Sequence, residues 1–163
     1  MANYYLSTFQ PSDKSNVSSI LPNLIPNVKI EINSHNFIFY TTNLNNIKSL
    51  ETEIMRNTFL VIKKFDKLTG NYFKPIFQWA GRHNFEDLMP TIRTSGYKSF
   101  RLILSEDFKV ISGHRNAVKA LERQISNQTG LKIDRVSPST ELWIIHTKDD
   151  YGFIMLKITN AKK

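Results

Sequence analysis

The sequence predicts an α+β fold built from two successive units. Two observations lead to this class: short apolar or alternating segments of strand character recur along the chain, and helical apolar patterns lie between them. The turn residues that separate these segments mark where each one ends. At 163 residues, the chain can bury one sizeable core or two small ones.

The first 65 residues have the pattern strand, helix, strand, strand, helix, strand. The second predicted strand alternates apolar and polar residues, and the third is apolar. A short turn at residues 34–36 joins them, which predicts a hairpin. This βαββαβ order is the ferredoxin-like arrangement, and it predicts a first domain over residues 1–65. The predicted strands are residues 4–9, 28–32, 37–41 and 58–64, and the predicted helices are residues 15–24 and 47–54.

A less regular stretch follows. Residues 66–84 contain Gly70, Pro75 and Gly81 among scattered aromatic residues, which predicts a structured linker with a strand around residues 76–79. Residues 85–92 are predicted to form a short helix interrupted by Pro90. The second domain is therefore predicted to span residues 85–163.

The second domain is predicted to be an α/β unit with a mixed sheet. Strands are expected at residues 100–105, 140–147 and 151–159, and a helix at residues 114–128. The link from the first strand to the second holds a whole helix and suits a parallel crossover, whereas residues 148–150 allow only an antiparallel turn. Residues 142–145 are apolar on both faces of their strand, so the sheet should be mainly sandwiched.

The predicted helix at residues 114–128 has an apolar side and a basic side. Its apolar side carries Ala117, Val118, Leu121 and Ile125, which should pack on the strands. On the far side, Arg115, Lys119 and Arg123 follow each other at four-residue spacing and repel one another, with Glu122 offering partial relief. Two interpretations are open: an ordinary solvated face, or a surface that binds a polyanion.

The overall charge favours the polyanion. Lys and Arg number 22 against 14 Asp and Glu, a net charge of +8, which attracts phosphate-rich partners. The sequence has no apolar run long enough to span a bilayer and no signal peptide at its start, so we expect no membrane partner and a cytoplasmic location. Cysteine is absent, which excludes disulfides, thiolate metal sites and a cysteine nucleophile.

Residues 98–159 resemble the THUMP domain of RNA-modifying enzymes. The resemblance rests on an aromatic-led strand with an early Arg (SFRLILSED), a helix ending in TGLKID, a turn with Pro138, the bulky strand TELWIIHT and a closing hairpin. In that family a ferredoxin-like domain commonly precedes the THUMP domain. The pattern of residues 1–65 agrees with this order.

The resemblance implies a module that docks structured RNA for an attached catalytic domain, most like the RNA methyltransferase members. The RNA would be the 3′ end of the tRNA acceptor arm, or alternatively rRNA, and the attached domain would use S-adenosylmethionine. No pair of the six glycines forms a GxG cofactor loop after a strand. We therefore expect this chain to hold no cofactor and no catalytic residue, and to be either an amino-terminal region or a standalone relative.

Structured RNA is contacted mostly through phosphates and 2′-hydroxyls, so Arg, Lys and free backbone N–H groups are the required donors. For Lys98 and Arg101, an alternative role is to shield a strand edge or face solvent. Arg93 would extend the RNA-binding surface that these basic residues are predicted to form. The predicted RNA-binding residues are Lys98, Arg101, Lys109, Gly113, His114, Arg115, Lys119 and Arg123, with Lys132 and Arg135 in a second rank.

Histidines and tryptophans suggest further roles. His35, His83, His114 and His146 lack the spacing of zinc motifs, so no metal site is predicted, and His146 should be a hydrogen-bonded core residue. Trp143 should also be core, whereas Trp79, near Phe77 and Arg82, is a candidate for stacking on an unpaired base. Two other function classes stay open: a standalone basic protein that binds RNA or the ribosome, and a small ribonuclease using His and Lys.

Overall fold

The computed structural model describes residues 3–25, 27–43, 55–70 and 72–158. The chain divides into two compact units, the first made of Met1–Ile62 with Lys157–Lys163 and the second of Lys63–Leu156. The described residues of the predicted linker, residues 66–84, are thus grouped with the second unit.

The first unit contains an antiparallel sheet. Its strands are β1 (Asn3–Phe9), β2 (Lys29–Asn33), β3 (Phe37–Thr42) and β4 (Met55–Phe65), in the order β2-β3-β1-β4, and β4 ends within the second unit. Helix α1 (Lys14–Leu24) follows β1. These elements confirm the four predicted strands, the hairpin and the first helix. The second predicted helix, residues 47–54, lies outside the described residues.

One face of this sheet packs on α1. Val17 and Leu21, four residues apart on α1, are buried against Tyr5, Ile38 and Tyr40 of β1 and β3. Spacing of four residues puts two side chains on the same face of a helix, so α1 needs only one apolar stripe to close this core. The amphipathic pattern of residues 15–24 is the physical reason the helix forms here.

The buried phenol of Tyr40 makes the first unit sensitive to alkali. Its hydroxyl lies 2.8 Å from Ser7 Oγ, which lies 2.8 Å from Thr58 Oγ1, and burial raises the pKa of Tyr40 well above its usual range. In the unfolded chain a tyrosine ionises near pH 10, while folded Tyr40 keeps its proton. The contribution of Tyr40 to the free energy of unfolding is therefore fully present below about pH 10. It falls as the pH rises further, by up to about 1.4 kcal/mol per pH unit.

We expect Tyr40→Phe to reduce this alkaline loss. Urea unfolding followed by circular dichroism between about pH 9 and 11 would show a shallower decline for the variant than for the wild type. Burial also raises the pKa of Tyr5, so some decline should persist in the variant. Equal slopes for the two proteins would contradict the prediction.

The second unit has a mixed sheet with helices α2 (Phe73–Arg82), α3 (Met89–Ser95) and α4 (Arg115–Thr129). Its strands are β5 (Ser99–Glu106), β6 (Lys109–Ile111), β7 (Lys132–Ile133), β8 (Thr140–His146) and β9 (Gly152–Lys157). The strand order is β9-β8-β5-β6, and β7 pairs with β5. None of the helices in the described ranges combines the length and apolar character needed to cross a membrane.

The strand directions confirm the predicted crossover. Strand β8 is parallel to β5 and antiparallel to β9, as expected from a link that contains a helix and a link that is a tight turn. Ile144 and Ile145 point to opposite faces of β8 and both are fully buried. The mixed α+β class and the buried central strand were therefore predicted correctly.

Two local predictions need correction. The predicted strand at residues 76–79 lies inside α2, because Phe73, Ile76 and Ala80 form a buried helical stripe. Pro75 is in the first turn of α2, where its missing N–H would have no helical partner. For the same reason Pro90 is tolerated in the first turn of α3, directly after Met89, and does not interrupt a helix.

The hairpin from β5 to β6 was not predicted at all. Its turn residues, Asp107 and Phe108, both have positive φ angles, of 49° and 69°, as a two-residue hairpin turn requires. Phenylalanine rarely takes this conformation, and the sequence lacks the glycine that usually signals such a turn. The propensity of residues 107–110 therefore gave no indication of a strand reversal.

Candidate nucleic-acid interface

Helix α4 has the two sides that its sequence predicts. Leu121 and Ile125 are buried, whereas Arg115, Lys119 and Arg123 are exposed. Four residues of helix rise about 6 Å, so the three cations form a column along the outer side. Glu122 does not offset this column, because its buried carboxylate is bound by Arg135. The side of α4 that faces solvent is therefore positively charged.

The beginning of α4 presents backbone donors. Gly113 has a φ of 131° and His114 a φ of 51°, so the chain turns sharply into the helix through two residues in left-handed conformations. No side chain caps the helix, and its first internal bond is donated by Val118 N–H to His114 O at 2.9 Å. The N–H groups of residues 115–117 come before Val118 in the chain and therefore have no acceptor within the helix.

A groove lies between α2 and the start of α4. It has a volume of about 430 Å³ and is lined by Lys74, Phe77 and Gln78 of α2 with His114 and Ala117. The His114 ring centre lies 5.9 Å from that of Phe77. Lys74 and Gln78 were missed in the sequence because residues 66–84 were interpreted as a linker. The helical spacing of Phe73, Ile76 and Ala80 was the signal that would have placed them on a helix.

Two predicted RNA-binding arginines are engaged within the protein. Arg101 Nε donates to Glu141 Oε2 at 2.7 Å, and Glu141 Oε1 accepts a bond from Trp143 Nε1 at 3.1 Å. Arg135 binds the carboxylate of Glu122, whose side chain is 1 % exposed. Both guanidinium groups therefore already have a carboxylate partner.

The loop that carries Arg135 is ordered by local hydrogen bonds. Asp134 Oδ1 accepts the N–H groups of Ser137 and Val136, each at 3.0 Å, and these bonds lower the pKa of the Asp134 carboxyl. Ser139 Oγ accepts from the N–H groups of Lys98 and Ser99 at 2.8 and 2.9 Å. The loop is thereby fastened to the beginning of β5.

The ten predicted residues fall into three places. Lys98, Arg101, Lys132 and Arg135 gather near the beginning of β5, where Lys132 N–H donates to Lys98 O at 3.0 Å. Lys109 of β6 lies opposite Glu106, the last residue of β5, in the register of the two strands. Along β5 this position is on the order of 25 Å from Lys98. The remaining residues are Gly113, His114, Arg115, Lys119 and Arg123 on α4 and its approach.

His146 is held as a structural residue, as expected. Its two ring nitrogens lie 2.5 Å from Glu106 Oε1 and 2.9 Å from Asp150 Oδ1. The ring stacks on Tyr72 at a centre distance of 3.8 Å, and the side chain is 7 % exposed. In the described ranges no group of three or more His, Asp or Glu side chains is arranged to hold a metal ion.

Trp79 is less available for stacking than its sequence position suggests. One neighbour, His83, already stacks on it at 4.4 Å, and Phe65 meets it edge-on at 6.1 Å. Lys63 Nζ also lies 5.9 Å from its ring centre. Phe77, two residues earlier, lines the open groove instead.

Comparison with known proteins places the fold. No family model matches the sequence, and no curated protein matches it significantly. The structure is similar to that of TrmN from Thermus thermophilus, with a TM-score of 0.70 and 12% identity over 98% of this chain and 46% of that one. It is also similar to a possible methylase from Clostridium difficile 630, with a TM-score of 0.65 and 16% identity over 96% of this chain and 41% of that one.

A third similar structure is a 4-thiouridine synthetase in complex with RNA and ATP. The TM-score is 0.55 at 13% identity, and the match covers 96% of this chain and 41% of that one. These likenesses show a shared fold, a mixed α+β fold. The chain spans less than half the length of each of the three proteins.

Proposed function

We propose that this chain is an RNA-binding module whose second unit docks structured RNA. The observation that carries the proposal is the column of exposed cations on α4, next to an uncapped helix start. Within the described part of the chain, none of Arg115, Lys119 and Arg123 forms an ion pair with a carboxylate. Phosphate contacts by Arg, Lys and helix N–H groups supply most of the affinity of such modules.

The charge and the similar structures support RNA as the partner. A net charge of +8 favours any polyanion, and one similar structure is a synthetase crystallised with RNA. A column of cations along one helix suits the regular phosphates of a duplex, which in RNA is recognised by shape and backbone more than by base edges.

We further propose that the RNA is the acceptor 3′ end of tRNA, with rRNA as the alternative, and that the chain is a THUMP module attached to a catalytic domain. The expected activity of that domain is S-adenosylmethionine-dependent RNA methylation. The residues of this chain do not fit the cofactor. Its six glycines are scattered along the chain, with Gly81 inside α2 and Gly152 at the beginning of β9, and in the described residues no strand leads into a glycine-rich loop. Its own residues would therefore bind and orient the RNA only.

Removal of the single-stranded 3′ end of tRNA should lower its affinity for the chain about tenfold. The trimmed RNA keeps the duplex phosphates that α4 would contact and loses the unpaired nucleotides. Fluorescence anisotropy with intact and trimmed tRNA at several salt concentrations would measure the contribution of the unpaired nucleotides and that of the phosphates to the affinity. Equal affinities would contradict the acceptor-end proposal, and affinity that does not fall with salt would contradict RNA docking itself.

A further inference from the structure

We infer that the groove between α2 and α4 binds one unpaired nucleobase of the RNA. This inference rests on the proposed function and deepens it, since it assigns a part of the site to a particular part of the RNA. The groove has a volume of about 430 Å³, within the range of about 300–1,000 Å³ that is usual for small-ligand sites.

The lining of the groove suits a flat aromatic group. Phe77 and His114 contribute ring surfaces, whose planes are inclined by 34° at a centre distance of 5.9 Å, and Ala117 contributes a methyl group. Phe77 is half-buried and His114 is exposed, so both rings are accessible. Aromatic rings of this kind bind bases by stacking, which tolerates any base because each has a π-face.

The polar groups around the groove select an anionic strand. Lys74 lines the groove, and Arg115 follows His114 directly on α4. These cations complement the phosphates on either side of a base and repel a basic partner. The Gln78 amide can both donate to and accept from the edge of a base. Bases within a duplex are stacked on their neighbours, so the occupant would come from a single-stranded segment.

The variant Ala117→Leu tests this inference by filling the groove without changing charge. Leucine is a good helix former, so α4 should be retained. The matched control is Ala120→Leu, the same change at an exposed position on α4 that does not line the groove. Circular dichroism and urea unfolding of both variants would verify that the fold is kept.

The probes are two RNA hairpins, one with a short single-stranded 3′ extension and one in which the extension consists of abasic nucleotides. The wild type should bind the first at least about fivefold more tightly, as expected for one stacked base. Ala117→Leu should lose this preference, and Ala120→Leu should keep it.

Three results would overturn the inference. If the wild type bound both hairpins equally, or if Ala117→Leu kept the full preference, the groove would not hold a base. Salt-dependent binding of both hairpins would in that case leave the proposed RNA docking intact. If the wild type bound neither hairpin, the proposed function would fail together with the inference.

Discussion

Replacing Arg115 and Lys119 together by glutamate is expected to lower RNA affinity about 100-fold at about 0.1 M salt. Each cation would lose a charge-assisted contact worth about 1.5 kcal/mol, and a tenfold change in affinity corresponds to about 1.4 kcal/mol. The introduced carboxylates would also repel the phosphates. Both side chains are exposed on α4, so the substitutions should leave the core unaffected.

The measurement is RNA binding over a range of salt concentrations. Loss of two phosphate contacts should reduce the slope of log affinity against log salt by about 1.5. A matched control is Lys67→Glu with Lys148→Glu, which makes the same change in net charge on exposed residues outside α4. If this control weakened binding equally, net charge alone would explain the affinity and α4 would have no special role.

The sequence predicted those parts of the fold that depend on local periodicity. Strands β1, β5 and β8 and helices α1 and α4 each have an apolar pattern that matches their secondary structure. Helix α2 was missed because Pro75 and Gly81 suggested a loop. A proline in a first helical turn costs little, so the buried stripe of Phe73, Ile76 and Ala80 outweighed these local signals.

The candidate site was only partly predictable for a different reason. Sequence shows which residues are charged, and helical spacing placed Arg115, Lys119 and Arg123 on one side of α4. It does not show which cations find a carboxylate after folding. Arg101 binds Glu141, which is 40 positions away in the sequence, and Arg135 binds Glu122, which is 13 positions away. Contacts between such distant segments have no local signature in the sequence.

Arg135→Met is expected to lower the free energy of unfolding of the second unit by about 2 to 3 kcal/mol. The change would leave the carboxylate of Glu122, 1 % exposed, without its cation. Breaking a fully buried pair costs about 3–5 kcal/mol. A smaller value is expected here because the Arg135 side chain is 59 % exposed, and solvent already screens its charge.

The cost should disappear when both members of the pair are replaced. Glu122→Leu alone leaves a solvated arginine, so it should cost little, and Glu122→Leu with Arg135→Met should be within about 1 kcal/mol of the wild type, since an apolar pair needs no compensation. Urea unfolding followed by tryptophan fluorescence reports on this unit, because Trp79 and Trp143, the two tryptophans of the chain, both belong to it. Equal destabilisation by the single and the double changes would show that the pair does not stabilise the fold.

If Arg135 instead contacts RNA, the stable double variant would bind RNA with a reduced salt dependence. The same variants therefore separate a structural role of Arg135 from a binding role.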